Sequence, residues 1–193
     1  MDAIDFFLLR YETLHRTLLD DLLQGLTDAQ VRGRPHPGVN TIAWLIWHAA
    51  RVEDVGVNRF VVDGAQVLDS GWLERLDGRR DVGTGMTDSE VDALSTRLDL
   101  AALRGYWDAV TRRTLDVVAT LPGQDLGAVV PADRVKRVCT DEGAVAPGAE
   151  WLTAFWAKGR TRGWVLAQTP LLHVYGHYFE ARVAAGLWGA RSP

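Results

Sequence analysis

Between residues 3 and 24 the apolar side chains fall at Ile4, Phe7, Leu8, Tyr11, Leu14, Leu18 and Leu22, in steps of three and four. Strand alternation cannot produce that spacing over such a length, so the segment reads as an amphipathic helix. Further helices are bounded by their caps. Asn40 or Thr41 caps a second one that runs to about Val62 and ends at Asp63-Gly64. Thr87-Asp88-Ser89-Glu90 has the form of a capping box opening a short helix to about Leu98. Asp99 then caps the third main helix, which carries Leu103, Tyr106 or Trp107, Val110, Leu115, Val117, Val118 and Leu121 before Pro122-Gly123 stops it. The last helix lies within Trp164 to Leu187, with Pro170 inside. Either Thr169 caps a helix that begins at Pro170, or a longer helix kinks there. The expected fold class is all-α, a four-helix bundle with one long connection between the third and fourth helices.

The connections carry weaker signals. Thr27-Asp28-Ala29-Gln30 is a second capping-box pattern, worth a turn or two before Gly33 and Pro35. Gly71 to Gly85 reads as a loop with one turn around Trp72-Leu73. Residues 122–149 are the least regular, and the alternation in Ala128-Val129-Val130 and Val135-Lys136-Arg137-Val138 suggests a small hairpin. Trp151 to Trp156 reads as a short helix. A connection of about 40 residues exceeds the usual loop length, so it is expected to carry structure or to wall a site.

With 193 residues and 47% hydrophobic content, the chain is expected to form one globular domain over 1–193, with a core large enough to need no staples. Cys139 is the only cysteine, so no disulfide can close within the sequence, and a cytoplasmic setting is the expectation. Met1-Asp2-Ala3-Ile4-Asp5 lacks the basic start of a secretory signal, and no apolar run approaches the roughly 20 residues of a membrane span. A net charge of -4 argues against a nucleic-acid partner, because neutralising phosphates takes clustered cations. No phosphate-binding glycine loop, dinucleotide fingerprint or serine elbow is present. The eight tryptophans follow no repeat and read as core and pocket wall.

The chemistry lies in the histidines. His173 and His177 are four residues apart, so on a helix their imidazoles stand one above the other. His48 ends the apolar run Thr41-Ile42-Ala43-Trp44-Leu45-Ile46-Trp47-His48 and faces inward beside Trp44. Three imidazoles from two helices suit one metal ion and leave a coordination position open, as in catalytic sites. A histidine on an apolar face also serves as a hydrogen-bonded core residue. Such an ion could lower the pKa of a bound water or hold a thiolate for attack on an electrophile. Glu180, three residues after His177, could orient a ligand imidazole, act as general base, or be a fourth ligand; a rim salt bridge to Arg182 or Arg51 is its structural alternative. His15 reads as a boundary residue, Tyr175 and Tyr178 as packing or rim residues, and Cys139 as a poor nucleophile candidate.

The segments Gly25-Leu26-Thr27-Asp28, Arg34-Pro35, Thr41 to Asp54 and His173-x-x-x-His177, in that order over nearly the full length, resemble the DinB-like superfamily. The resemblance implies a four-helix bundle with a divalent metal held by three histidines, which match His48, His173 and His177; imidazole ligands are compatible with zinc or nickel and do not decide between them. Many members follow the final histidine with Arg-Gly-Gln, whereas Tyr178-Phe179-Glu180 stands here, so any inherited substrate assignment is open. Some members look like thiol-dependent S-transferases or isomerases that use bacterial low-molecular-weight thiols. Three readings follow: a metal-dependent thiol transferase or hydrolase on a small electrophile, a non-catalytic metal- or small-molecule-binding stress protein, and a structural protein. The partners implied are a small-molecule substrate and a low-molecular-weight thiol, with a homodimer compatible.

Overall fold

The computed structural model describes residues 1–15, 18–121 and 123–189. Helix α1 (Ala3–His15) and helix α2 (Leu18–Leu23) take the place of the single helix expected over residues 3–24. Their junction, residues 16 and 17, lies outside the described residues. Helix α3 (Asp28–Arg32) opens on the expected capping box, in which the Thr27 hydroxyl accepts from the Gln30 amide and the Gln30 side chain accepts from the Thr27 amide.

Thr41 caps helix α4 (Ile42–Asp54), its hydroxyl accepting from the Trp44 amide. The helix runs on into a π-helical stretch, Val55–Val61, and the chain turns at Asp63, whose φ is 53°. The short helix α5 (Ser70–Arg75) contains the turn foreseen at Trp72-Leu73. Helix α6 (Asp88–Arg97) starts at the Thr87–Glu90 capping box. Helix α7 (Leu100–Thr120) starts at Asp99, whose carboxylate accepts from the amides of Ala101 and Ala102. Pro122, the expected stop, lies outside the described residues; α7 itself ends at Thr120.

The hairpin expected between residues 128 and 138 does not form. Val135 and Lys136 belong to helix α8 (Ala132–Lys136), which continues as a π-helical turn over Arg137–Asp141. Val129 pairs instead with Thr161 in one isolated antiparallel bridge, flanked by Val130 N–H donating to Arg160 O at 2.8 Å. Two-residue alternation lost because Ala132-Asp133-Arg134 are helix-compatible and Pro131 fixes the entry to the turn. Helix α9 (Trp151–Trp156) follows as expected. Among the described residues there is no extended strand.

The last helical segment is the longer, irregular form of the two alternatives. Helix α10 (Arg162–Ala167) passes through a π-helical stretch, Gln168–His173, into helix α11 (Val174–Leu187). Thr169 does not cap; its hydroxyl donates back to the Val165 carbonyl at 3.0 Å. The wider π turn accommodates Pro170, which has no amide to donate.

Helix α4 packs against both α7 and α11, α1 packs on α7, and α2 closes onto α11, so the long segments form an all-helical assembly, the class expected. Every residue of α4 is buried, which explains why its sequence is apolar almost all round rather than along one stripe. Gly56 sets the approach of α4's extension to the last segment. A Cβ there would stand 2.4 Å from the Thr169 hydroxyl oxygen, so only glycine permits that contact. No helix among the described residues is long and apolar enough to cross a membrane.

Candidate metal centre

His48 emerges from the middle of α4, His173 from the end of the π-helical stretch, and His177 one turn into α11. One nitrogen from each lies within 4.8 Å of the other two. The Nε2 atoms of His173 and His177 are 3.2 Å apart, close to the roughly 3.3 Å that two nitrogens keep on one ion with bonds of 2.0–2.1 Å at a tetrahedral angle. The ring centroid of His48 lies 4.9 Å from that of His173 and 4.8 Å from that of His177. Trp44 stacks on His48 with planes 8° apart and so fixes the ring's tilt.

Which nitrogen faces the cluster is decided behind the rings. His48 Nδ1 donates to the Val82 carbonyl. His177 Nδ1 donates to Glu180 Oε2 at 3.0 Å, and Glu180 Oε1 accepts from Asn40 Nδ2 at 2.9 Å. Both rings therefore present an Nε2 lone pair forward, the arrangement that outer hydrogen bonds impose on metal-binding imidazoles. His173 lacks such support, because its buried Nδ1 has no hydrogen-bond partner. Lone pairs converging from neighbouring rings need a Lewis acid or a proton between them, and the donor set fits a divalent ion such as zinc or nickel.

The electrostatics agree with that chemistry. Burial, reinforced by the nearby His177, pushes the His48 imidazole down to about 3. His173 falls well below the usual histidine value, again chiefly by burial, with His48 and His177 adding to it. Both rings are therefore neutral at ordinary pH, the form in which imidazole binds metal. Glu180 is held below the usual carboxylate range by the hydrogen bond from His177, and Asn40 adds to the effect, so it stays ionised behind the ring. The rim salt bridge considered for Glu180 is not formed with Arg51, which is buried on α4 and pairs with Asp54.

Val82, the acceptor for His48, is itself anchored. Arg51 Nη2 donates to Arg80 O at 2.7 Å and to Gln66 Oε1 at 2.9 Å, and Asp81 accepts from the Gly83 amide at 2.8 Å. Gly83 has φ +82° and a Cβ there would meet the Trp47 ring at 2.4 Å, so the backbone can lie this close only with glycine.

The remaining sequence-derived candidates separate clearly. His15 is not at a boundary: it is buried, stacked between Tyr11 and Trp107, and outside the triad, with Nδ1 3.2 Å from the Thr111 hydroxyl and Nε2 3.4 Å from the Pro170 carbonyl. Tyr175 and Tyr178 are rim residues, accepting from Arg10 and Arg182 respectively. Cys139, distant in sequence from any histidine, lines the same cavity as His48 and His173, but burial raises its thiol to about 11, which keeps it protonated. The long connection walls this cavity with Val145, Leu152, Phe155 and Trp156, as its length suggested. Asn40 and Val82 were missed as site residues. In the sequence Asn40 carries only the sign of a helix cap, and since Thr41 takes that role its side chain reaches Glu180; a backbone carbonyl leaves no mark in a sequence.

No curated protein matches the chain. Among solved structures, the crystal structure of a conserved protein from Enterococcus faecalis aligns with a TM-score of 0.72 over 99% of each chain at 18% identity, which shows a shared fold. A sequence profile of the DinB superfamily matches residues 13–176, a span that takes in His48 and His173 and ends one residue before His177. Family match, helical architecture and histidine cluster agree, and the chain belongs to the DinB superfamily.

Proposed function

We propose that the protein is a divalent-metal-dependent enzyme, a thiol S-transferase or hydrolase acting on a small electrophile, with His48, His173 and His177 as the metal ligands. The observation that carries this reading is the convergence of three imidazoles, two of them turned by outer hydrogen bonds so that Nε2 faces the cluster, beside a cavity that His48 and His173 help to line. When bound there, zinc or nickel would supply Lewis acidity and make a water or thiol nucleophilic near neutral pH.

The chain's own residues have narrower tasks. Val82 and Glu180 orient the rings of His48 and His177, and Asn40 holds the Glu180 carboxylate in place. With its two oxygens engaged, Glu180 is better suited to positioning and charge compensation than to serving as a fourth ligand. The low-molecular-weight thiol, the absence of a nucleic-acid partner and a homodimeric state belong to the same proposal, as does a cytoplasmic setting, which the single unpaired cysteine supports.

The test is metal analysis of protein purified without a nickel column, followed by a screen of thiols with electrophiles. About one divalent ion per chain is expected, and His173→Ala should lose most of it while the helical circular-dichroism signal remains. A wild-type protein that binds no zinc or nickel would remove the proposal; stoichiometric metal with no thiol or hydrolytic turnover would favour the non-catalytic binding protein.

A further inference from the structure

The cavity beside the histidines has a volume of about 380 Å³, within the range of roughly 300–1,000 Å³ typical of small-molecule sites. His48 and His173 form part of its wall. Val55 and Phe60 line it from the α4 side, and Leu152, Phe155 and Trp156 from α9. Among the described residues, no lysine, arginine, aspartate or glutamate lines it; the polar groups besides the imidazoles are Thr84, Gln168, the protonated thiol of Cys139 and the indole N–H groups of Trp151 and Trp156. Arg160 packs over the rings of Phe155 and Trp164 instead of lining the cavity.

Such a wall discriminates by charge. A phosphate, sulfonate or carboxylate placed among the apolar side chains, away from the imidazoles and any ion they hold, would lose its water with no cation beside it. An apolar ring suffers no such loss and removes its own surface and that of the wall from water. Since a cavity of about 150 Å³ accommodates benzene, this one has room for two to three rings.

We infer that the cavity is the binding site for a neutral, largely apolar molecule of two to three rings, with a polar group toward the imidazoles, and that its apolar part excludes anions. The catalytic meaning of this site rests on the metal-centred function proposed above: the apolar molecule is the electrophile, and a charged, hydrophilic thiol must reach the histidines without filling the cavity. The inference itself concerns binding alone.

N-phenyl-1-naphthylamine and its 8-sulfonate share one apolar skeleton and differ by one negative charge, and both brighten in apolar surroundings. Titrated into the wild-type protein, the neutral probe should bind at one site at least about tenfold more tightly than the sulfonate. Val145→Trp, which fills the cavity from the connection, should weaken the neutral probe by about tenfold or more. Gln168→Lys, at a half-buried position that already carries a polar side chain, should narrow the gap between the probes by about tenfold and remains informative if Val145→Trp does not fold. Equal affinity for the two probes, or neutral-probe binding unchanged by a folded Val145→Trp, would overturn the inference. Metal content is measured on every sample. Probe binding absent with metal retained removes this inference alone, and probe bound in the cavity with no metal taken up removes the metal-centred function alone.

Discussion

Helix α4 carries two groups of buried polar side chains a turn apart, and they are satisfied in opposite ways. Toward its C-terminal end Asp54 accepts from five donors: Arg51 Nη1 at 3.1 Å, Tyr106 OH at 2.5 Å, Asn58 Nδ2 at 2.8 Å, and the amides of Val67 at 2.9 Å and Leu68 at 3.0 Å. Arg51 adds bonds to Tyr106, Gln66 and Arg80, leaving only its Nε without a partner. One turn earlier His48 reaches neighbours that offer it lone pairs, and His173 holds a buried nitrogen with no partner. A carboxylate ringed by donors marks the first group as structural; imidazoles that turn lone pairs toward one another mark the second as available to a ligand.

That contrast is broken most sharply by removing one member from each group. Asp54→Ala leaves a buried guanidinium, a phenol and two loop amides without their acceptor, and should destabilise the protein by about 3–5 kcal/mol. His177→Ala, at a partly exposed position with few bonds of its own, should change stability by less than about 1 kcal/mol while metal is lost. Urea denaturation of both variants without added metal measures the difference. Similar losses for the two would mean that the histidines are as structural as the ionic cluster.

The two groups were not equally legible in the sequence. The triad was readable because its signal is local: two histidines four apart, and a third at the end of a capped apolar run. The helix starts were readable for the same reason, since Thr27, Thr41, Thr87 and Asp99 each bond amides two or three residues away. Arg51 and Asp54 gave no comparable sign. Their burial depends on Tyr106 from α7 and on backbone from residues 67, 68 and 80, and such long-range satisfaction is invisible in a window of helical length. The cavity was half legible: the length of the connection implied a wall, but Val135-Lys136 pointed to a strand where a helix formed, so which side chains line it required the fold.

A smaller effect is expected behind the triad. Glu180→Gln can still accept from His177, but it loses the negative charge that holds the ring's N–H, and its amide group has to face Asn40 or His177 as a second donor. Metal stoichiometry at saturation should persist while affinity, measured by competition with a chelator, weakens by about 10- to 100-fold. A change below about twofold would show that the carboxylate does no more than decorate the rim, and the triad would then work without outer-shell support at His177.

The mildest test concerns Glu53, which belongs to the structural side of the comparison although it sits beside a histidine. Its Oε1 accepts from the hydroxyls of Tyr11 and Thr114, and its Oε2 lies 3.7 Å from His15 Nε2. Burial pushes Glu53 up to about 8 and His15 down to about 4, so the pair is held neutral rather than as an ion pair at pH 7. An acid whose folded pKa is raised gives stability that is complete below its unfolded value near 4.5 and is lost as pH rises through the folded value. His15 acts in the opposite direction, but only below its unfolded value of 6.5. Between pH 7 and 8 the Glu53 contribution is therefore exposed, and wild-type stability should fall there by up to about 1.4 kcal/mol per pH unit. Glu53→Gln keeps an acceptor for Tyr11 and Thr114 without a titrating proton, and its urea midpoint should be nearly flat across the same interval. Equal slopes in the two proteins would mean that Glu53 is already ionised at pH 7 and paired with a protonated His15, and α4 would then carry two buried ion pairs beside its one available histidine.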